Sequence, residues 1–426
     1  MVLHPEDGSN STSDSDETHR STPTIDSSLI SILQTPNAGF GVFAKRNLAP
    51  HTELLRSSSP AAYVIYRQFR KEVCAWCFRY DLGRTVGGPF NGGGMVFDTA
   101  SCRDSWLEEY GAIGLECFGT VEAFVQKQSR KRGEEEESRE RDSELPPSPK
   151  EIDQAWEAIQ EASLNVRNHR LLSRQQNFSE HQTTPTSNHL QQASLRKIGA
   201  SALANALSLP VPDADLLFFL LSGLLCRYKS RSTDKEMKQT SDQWSSMLSL
   251  CPSSTPYSSK RSLAETTHAY LQLLAILPVA LLEDPQLVCR STIESILSRD
   301  VGNSFGIWSV EEPFDRIYSC NDATNSSTPQ SDDDPEMLGY AVYPSASFFN
   351  HSCRPNVHKQ RIGRSWIFSI ASDSVSAGDE LSITYIRGEE DNLTLAQRRL
   401  RLEGGWSFVC QCSKCIAEED AASGSR

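Results

Sequence analysis

The pattern of apolar and polar positions changes character along the chain. Residues 1–28 are rich in Ser, Thr and Asp and almost free of large apolar side chains, which predicts a disordered tail. Order is expected from about Leu29. The stretch GFGVFAKRNL (39–48) sets turn glycines among β-branched and aromatic residues, which predicts a tight hairpin. From residue 151 the period lengthens. Ile152, Ala155, Trp156 and Ile159 fall at i, i+3, i+4 and i+7, one face of an α-helix. Residues 199–227 and 262–299 also read as mainly helical, with polar stretches around 174–193, 230–243 and 252–261 between the helices. After 338 the period shortens to two. SWIFSIASDSV (365–375) and ELSITY (380–385) read as strands joined by a turn at SAGD. In the second, Leu381, Ile383 and Tyr385 share one face, and Glu380, Ser382 and Thr384 the other. TLAQRRLRLEGG then predicts a helix, with Thr394 and Gln397 at capping-box spacing and Gly404–Gly405 as its stop.

Between these segments lie connectors. KRGEEEESRERDSELPPSPK (131–150) is a charge run ending in prolines, and NDATNSSTPQSDDDPEM (321–337) reads as a loop. The longest apolar runs, LLFFLLSGLLC (216–226) and LQLLAILPVALL (271–282), fall short of the ~20 residues that span a bilayer, and Pro278 interrupts the second. They predict buried helices. The first residues lack the basic-then-apolar pattern of a signal peptide. A soluble, intracellular, monomeric protein without membrane contact is expected. The few KR pairs near 130 leave nucleus and cytoplasm both open.

With 42 basic and 55 acidic residues the chain carries a net charge of −13. Direct binding to nucleic acid phosphates wants a basic stripe and is not expected. A basic protein partner suits this charge better.

The chain has 12 cysteines, and their spacing matters more than their number. Cys74 and Cys77 form C-x2-C. Cys410, Cys412 and Cys415 form C-x-C-x2-C. In a reducing compartment such spacing points to zinc rather than to disulfides. A structural zinc wants four ligands, and the tail holds no further cysteine or histidine. A distant residue must complete it, and Cys353 in SFFNHSCRPN (347–356) suits the part. A nucleophile–base reading of Cys353 with His351 is disfavoured, because such pairs come from separate segments. Phe348 and Phe349 alternate along this stretch, so at least one should be core.

These segments together resemble the SET-domain lysine methyltransferases, specifically the SET-and-MYND (SMYD-like) group. GFGVFA (39–44) resembles the family's Gly-x-Gly cofactor loop. NSFGI (303–307) and GYAVYPSASFFNHSCRPN (339–356) resemble its central block. GDELSITY (378–385) resembles the block ending in the catalytic tyrosine, and WSFVCQCSKC (406–415) the post-SET zinc tail. The resemblance implies an S-adenosyl-L-methionine site against Gly39, Phe40 and Gly41, with Asn303, Ser347, Asn350 and His351 at cofactor-contacting positions. Trp406 and Phe408 would close over the adenine or line the lysine channel. Phe305 matches a channel position, and Tyr385 the catalytic tyrosine. Cys353, Cys410, Cys412 and Cys415 match the post-SET zinc ligands.

Cys74-x2-Cys77 followed by FDTASCRDSW (97–106) resembles a degenerate MYND finger. Cys74, Cys77 and Cys102 match three ligands of one zinc site. Asp98 stands where the fourth cysteine would be, and Cys117 is another candidate. The second site lacks its cysteine pair, and Tyr110 stands near its expected histidine. A zinc-free remnant packed on apolar contacts is the alternative. Ala38 and Phe40 also depart from relatives that carry polar or basic residues there. The C-terminal helical-repeat domain of larger relatives is not expected, which predicts a more open cleft.

The expected fold is α+β: an irregular β-rich SET core split by two insertions and followed by a zinc tail. The expected divisions are 1–28 disordered tail, 29–73 SET N-terminal half, 74–118 MYND-like finger and 119–150 charged linker. They continue with 151–295 helical insertion, 296–390 SET C-terminal half, and 391–426 post-SET helix and zinc tail. The function implied is S-adenosylmethionine-dependent methyl transfer to a lysine of a histone or another protein. A catalytically silent SET scaffold that binds protein partners is the alternative.

Overall fold

The computed structural model describes residues 25, 27–36, 38–81, 83–84, 92–132, 145–178, 189–231, 242–300, 302–310, 335–386 and 389–424. The expected tail at 1–28, the charge run, the polar stretches near 174–193 and 230–243, and the loop at 321–337 lie partly or wholly outside these residues. The chain begins with strands β1 (Ile30–Gln34), β2 (Phe40–Ala44), β3 (Glu53–Ser57) and β4 (Ala62–Ile65). Helices follow: α1 (Ala100–Arg132), α2 (Pro149–Phe178), α3 (His189–Ser208), α4 (Ala214–Arg231), α5 (Gln243–Leu248), α6 (Lys260–Ile276), α7 (Val279–Leu282) and α8 (Arg290–Asp300). Strands then return as β5 (Ser304–Trp308), β6 (Met337–Val342), β7 (Asn350–His351), β8 (Val357–Ile362), β9 (Ser365–Ile370) and β10 (Glu380–Ile383). Helices α9 (Leu395–Trp406) and α10 (Ser413–Gly424) close the described chain. Strands and helices are grouped rather than alternating, which makes this an α+β fold. No described helix is long and apolar enough to cross a membrane.

The strands form small sheets ordered β1-β2-β10-β7, β3-β9-β8 and β4-β6-β5. In the first, the N-terminal hairpin joins strands more than 300 residues away. Leu381 pairs with Val42, and the parallel β7 brings Asn350 opposite Ser382 and His351 opposite Ile383. This pairing places the NHSC stretch beside the strand that leads into Tyr385.

The helices pack on the sheet β4-β6-β5 through α4. Its run Leu217–Leu225 is buried all round, as a helix without a polar face should be. Ser222 Oγ satisfies its own chain through Phe219 O at 2.8 Å and accepts from Tyr63 N at 2.8 Å, tying α4 to β4. A Cβ on Gly223 would stand 2.7 Å from Ile296, so α4 and α8 meet at a distance only glycine allows. Trp156 is buried on the predicted face of α2 and bonds Tyr257 Oη at 3.2 Å. Both apolar runs are buried helices, and Pro278 separates α6 from α7.

Several expectations need correction. Gln34 pairs with Phe40, so GFGVFA carries the hairpin's second strand rather than the whole hairpin. The strands flanking SAGD are not partners. β9 pairs with β3 and β8, whereas β10 pairs with β2 and β7. Between them the chain crosses over and bonds 44 and 48 instead, through Gly378 N to Ala44 O and the Leu48–Val375 bridge. The capping box of α9 is present, but the helix runs through Gly404–Gly405 to Trp406 and ends on Ser407 in the left-handed region, φ 58°. Helix α1 was not foreseen. It breaks at Gly111, φ 66°, and carries 119–132, part of the expected linker, as helix.

Candidate functional site

The tail cysteines gather as their spacing predicts. The sulfurs of Cys353, Cys410, Cys412 and Cys415 all lie within 4.8 Å of one another. Cys353 Sγ stands 3.9 Å from Cys410 Sγ and 3.5 Å from Cys415 Sγ. Four sulfurs at ~2.3 Å from a tetrahedral zinc would be about 3.8 Å apart, so the donor set fits that ion. Cys353, Cys410 and Cys415 are buried, and Cys412 is partly so. Crowding divides the thiols. Contacts from Cys353 and Cys410 push Cys412 down, while contact with Cys410 pushes Cys353 up.

His351 bridges this cluster to Tyr385. The Tyr385 N–H donates to His351 Nδ1 at 3.1 Å, and Nε2 faces Cys353 Sγ at 3.3 Å. Burial pushes the His351 pKa down to about 4, so the ring is neutral at pH 7. With Nδ1 accepting, the proton sits on Nε2 and points at the sulfur. Tyr385 Oη donates to Phe349 O at 2.8 Å, and burial holds its phenol above the ordinary tyrosine range. The Tyr385 ring packs 5.3 Å from His351, 5.3 Å from Trp406 and 6.3 Å from Phe408. Five residues named from the sequence therefore meet here: His351, Cys353, Tyr385, Trp406 and Phe408.

The glycine loop lies on the other side of β10. Gly39 adopts φ 69°, and its carbonyl accepts from Thr35 N at 2.6 Å. A Cβ there would meet nothing within 4 Å, so the loop presents open backbone. Gly41 is the reverse case. Its Cβ would stand 2.7 Å from Glu380 Oε1 and 2.8 Å from Asn350 Nδ2. Asn350 Nδ2 donates to that Glu380 oxygen at 2.8 Å and to Phe40 O at 3.3 Å. The arrangement fits a small zwitterionic ligand: bare backbone, an amide and a carboxylate side by side. Ser347 and Asn303 also come together, Ser347 Oγ donating to Asn303 O at 3.0 Å. The Asn303 amide itself turns to Cys251 O at 3.2 Å.

Phe305 lies in an aromatic wall with Trp366 at 5.3 Å and Phe368 at 6.2 Å, and Phe368 stacks on Phe349 at 4.6 Å. Phe348 and Phe349 are both buried. Trp366, Phe368 and Glu380 were not singled out from the sequence. The period-two alternation of β9 and β10 carried the signal, since it puts Trp366 with Phe368 and lifts Glu380 off the core face. Lys359 also reaches this wall. Its Nζ donates to Thr384 O at 2.6 Å and stands 5.9 Å from the centres of both Phe305 and Trp366.

The finger differs. Cys74, Cys77 and Cys102 bring three sulfurs within 4.8 Å of one another. Asp98 does not join them with its side chain. Its carboxylate takes Arg79 Nη1 at 2.9 and 3.2 Å, and only its N–H reaches Cys74 Sγ, at 3.3 Å. Cys117 is buried apart from the group, and burial pushes its thiol up to about 12. Three sulfurs fit zinc only with a fourth donor from outside the described protein groups. Tyr110, near the position of a second-site histidine, instead meets Arg364 Nη2 at 3.4 Å, and that nitrogen also pairs with Glu109 at 3.1 Å.

Comparison with known proteins finds a family and relatives. A family model described as SET domain matches residues 39–386. Potential protein lysine methyltransferase SET6 of Saccharomyces cerevisiae is 24% identical over 409 residues, 91% of this chain and 95% of that protein. A SET and MYND domain-containing protein of Dictyostelium discoideum is 34% identical over 116 residues, 26% of this chain and 22% of its own length. Histone-lysine N-methyltransferase SET5 of Yarrowia lipolytica is 38% identical over 79 residues, 18% of this chain and 17% of its own length.

Proposed function

The chain belongs to the SET-domain family, and from that premise we propose that it is a protein-lysine N-methyltransferase using S-adenosylmethionine. The observation that carries this reading is the meeting of Tyr385 with His351, Phe349, Trp406 and Phe408 beside the tail cysteines. When bound, S-adenosylmethionine supplies an already activated methyl group, so the protein's task is orientation and electrostatics. Gly39 gives side-chain-free backbone for its amino-acid part, while Gly41 makes room for the Asn350–Glu380 pair, whose carboxylate offers a polar partner. Trp406 and Phe408 cover flat apolar surface. Phe305, Trp366 and Phe368 form a wall along which a lysine stem can lie. An unperturbed lysine has a pKa of about 10.4, so little of it is neutral near pH 7. An apolar wall lowers that value and favours the reactive amine. The Tyr385 phenol, kept protonated by burial, orients the amine without acting as a base.

The tail cysteines would hold one zinc, which fixes Cys353 and, through it, His351. The partner is a protein presenting a lysine, a histone or another, met in the nucleus or the cytoplasm. The helical insertion, α2 to α8, is the element best placed in size to set substrate choice. The test is methyl transfer from labelled cofactor into cell-extract proteins, followed by mass spectrometry. The wild type should label discrete lysines, and Tyr385→Phe, which loses the orienting hydroxyl, should label them ~100-fold less. Equal labelling by both would overturn the reading.

One observation favours the scaffold alternative. The Asn350 amide is already satisfied by Glu380 and Phe40 within the chain, and Ala38 and Phe40 offer no charged side chain. Calorimetric titration with the cofactor separates the two, because a silent scaffold does not need to bind it.

A further inference from the structure

A buried guanidinium faces the tail sulfur cluster. Arg398, on α9, is 1% exposed. Its Nη2 stands 3.6 Å from Cys415 Sγ and 2.7 Å from Glu418 Oε2. Its Nη1 donates to Leu393 O at 2.7 Å and to Glu390 O at 3.4 Å, while Nε meets no acceptor. An arginine this deep needs a reason, because an incompletely paired buried charge is costly.

The cluster supplies one. Four thiolates around a divalent ion carry two excess negative charges, and here most of the sulfur is buried. The bonds of the other nearby cations go to carbonyls and carboxylates rather than to a sulfur. Arg399 reaches Cys410 O through Nε at 3.3 Å, but its outer nitrogens pair with Glu419 at the surface. Lys414 pairs with Asp391 and Glu390 O. Among the described residues, only Arg398 brings buried positive charge into hydrogen-bonding distance of one of these sulfurs. Its bonds to Glu390 O and Leu393 O also pin the turn that follows Tyr385, and Glu418 holds the outer face of Nη2.

We propose that Arg398 is the positioning residue of the tail metal site. It donates to the Cys415 thiolate, offsets the excess charge of the cluster, and fastens α9 and the 389–393 turn to it. The proposal rests on the reading that the tail holds a metal. Outer-shell partners of this kind are worth ~10- to 100-fold in metal affinity.

Cobalt(II) titrated into the full chain, stripped of metal beforehand, tests it through the thiolate-to-cobalt charge-transfer band. The wild type should show the band. Arg398→Met should bind cobalt ~10- to 100-fold more weakly, with its band moved to longer wavelength, because a thiolate without its donor gives up charge more easily. Arg398→Gln, neutral but smaller and polar, should behave likewise and serves where the Met variant does not fold. Arg398→Lys, which keeps the charge, should recover most of the affinity, and Glu418→Gln should keep the band in place. Wild-type affinity and an unmoved band in the folded neutral variants would overturn the role of Arg398. No band in the wild type would overturn the metal reading itself, and the proposal with it.

Discussion

The two cysteine clusters are built on opposite plans. The tail cluster draws four sulfurs from two segments 57 residues apart and has little apolar packing to hold it, its surroundings being Ile386, Leu402 and a few partly buried side chains. The finger cluster has three sulfurs, yet it sits on a thick aromatic core of Phe78, Phe97, Trp106 and Tyr110, all buried. Trp106 Nε1 donates to Tyr63 Oη at 3.1 Å, and Arg364 reaches from the β8–β9 turn to Glu109 and Tyr110. Aromatic packing thus does in the finger what a metal would do in the tail. The comparison teaches that sulfur count alone does not rank metal sites. What counts is whether the surrounding chain could hold its shape without one.

That contrast can be broken in several places. The largest effect is expected in the tail. Cys410→Ser should abolish metal retention there, and with it the ordered Trp406–Phe408 cover on Tyr385, read as loss of near-ultraviolet aromatic dichroism. Next comes the finger core. Trp106→Ala should cost about 3–5 kcal/mol in denaturant unfolding, as a deleted large core aromatic does. Cys77→Ser should cost no more than about 1 kcal/mol, since it trades one small, partly buried side chain for another. A larger cost for Cys77→Ser than for Trp106→Ala would reverse the comparison.

A third effect concerns the support of β5. Asp300 accepts from Ser304 Oγ at 2.6 Å, and burial raises its pKa to about 6. The folded value lies above the unfolded one, about 4, so the protonated form is favoured by folding. This contribution is complete below pH ~4 and is lost as pH rises through about 6. It amounts to roughly 2 kcal/mol, less than the full shift implies because Asp300 keeps some exposure. Asp300→Asn should flatten the stability–pH curve between those limits, and an unchanged slope would contradict the assignment. The smallest effect is expected at the surface pair Arg79–Asp98. Arg79→Ala should change stability by less than ~1 kcal/mol. It should also free the Asp98 carboxylate, so any metal affinity of the finger should rise rather than fall.

Features set by neighbouring residues were legible in the sequence. The Thr394–Gln397 capping box, the faces of β10 and the buried run of α4 all follow from local spacing. The tail cluster was legible because three of its cysteines lie within six residues, and Cys353 was reached from the need for a fourth. Features set by distant partners were not. SAGD looks like a hairpin turn, but β10 finds β2 and β7 more favourable than β9. Gly404–Gly405 looks like a stop, but the helix end is fixed where Trp406 packs on Tyr385. Asp98 looks like a ligand until Arg79 takes its carboxylate. Arg364 and Arg398 look like surface charges, because nothing local reveals the buried acids, tyrosines and sulfur that hold them.

In the proposed reading, the tail metal site and the cofactor site are one assembly, joined at Cys353 and His351. Calorimetric titration of S-adenosylmethionine into the chain before and after chelation of its metal tests it most directly, with Cys353→Ala alongside. The metal-loaded wild type should bind, and both the chelated protein and the variant should lose binding. Binding of undiminished affinity by Cys353→Ala would contradict it.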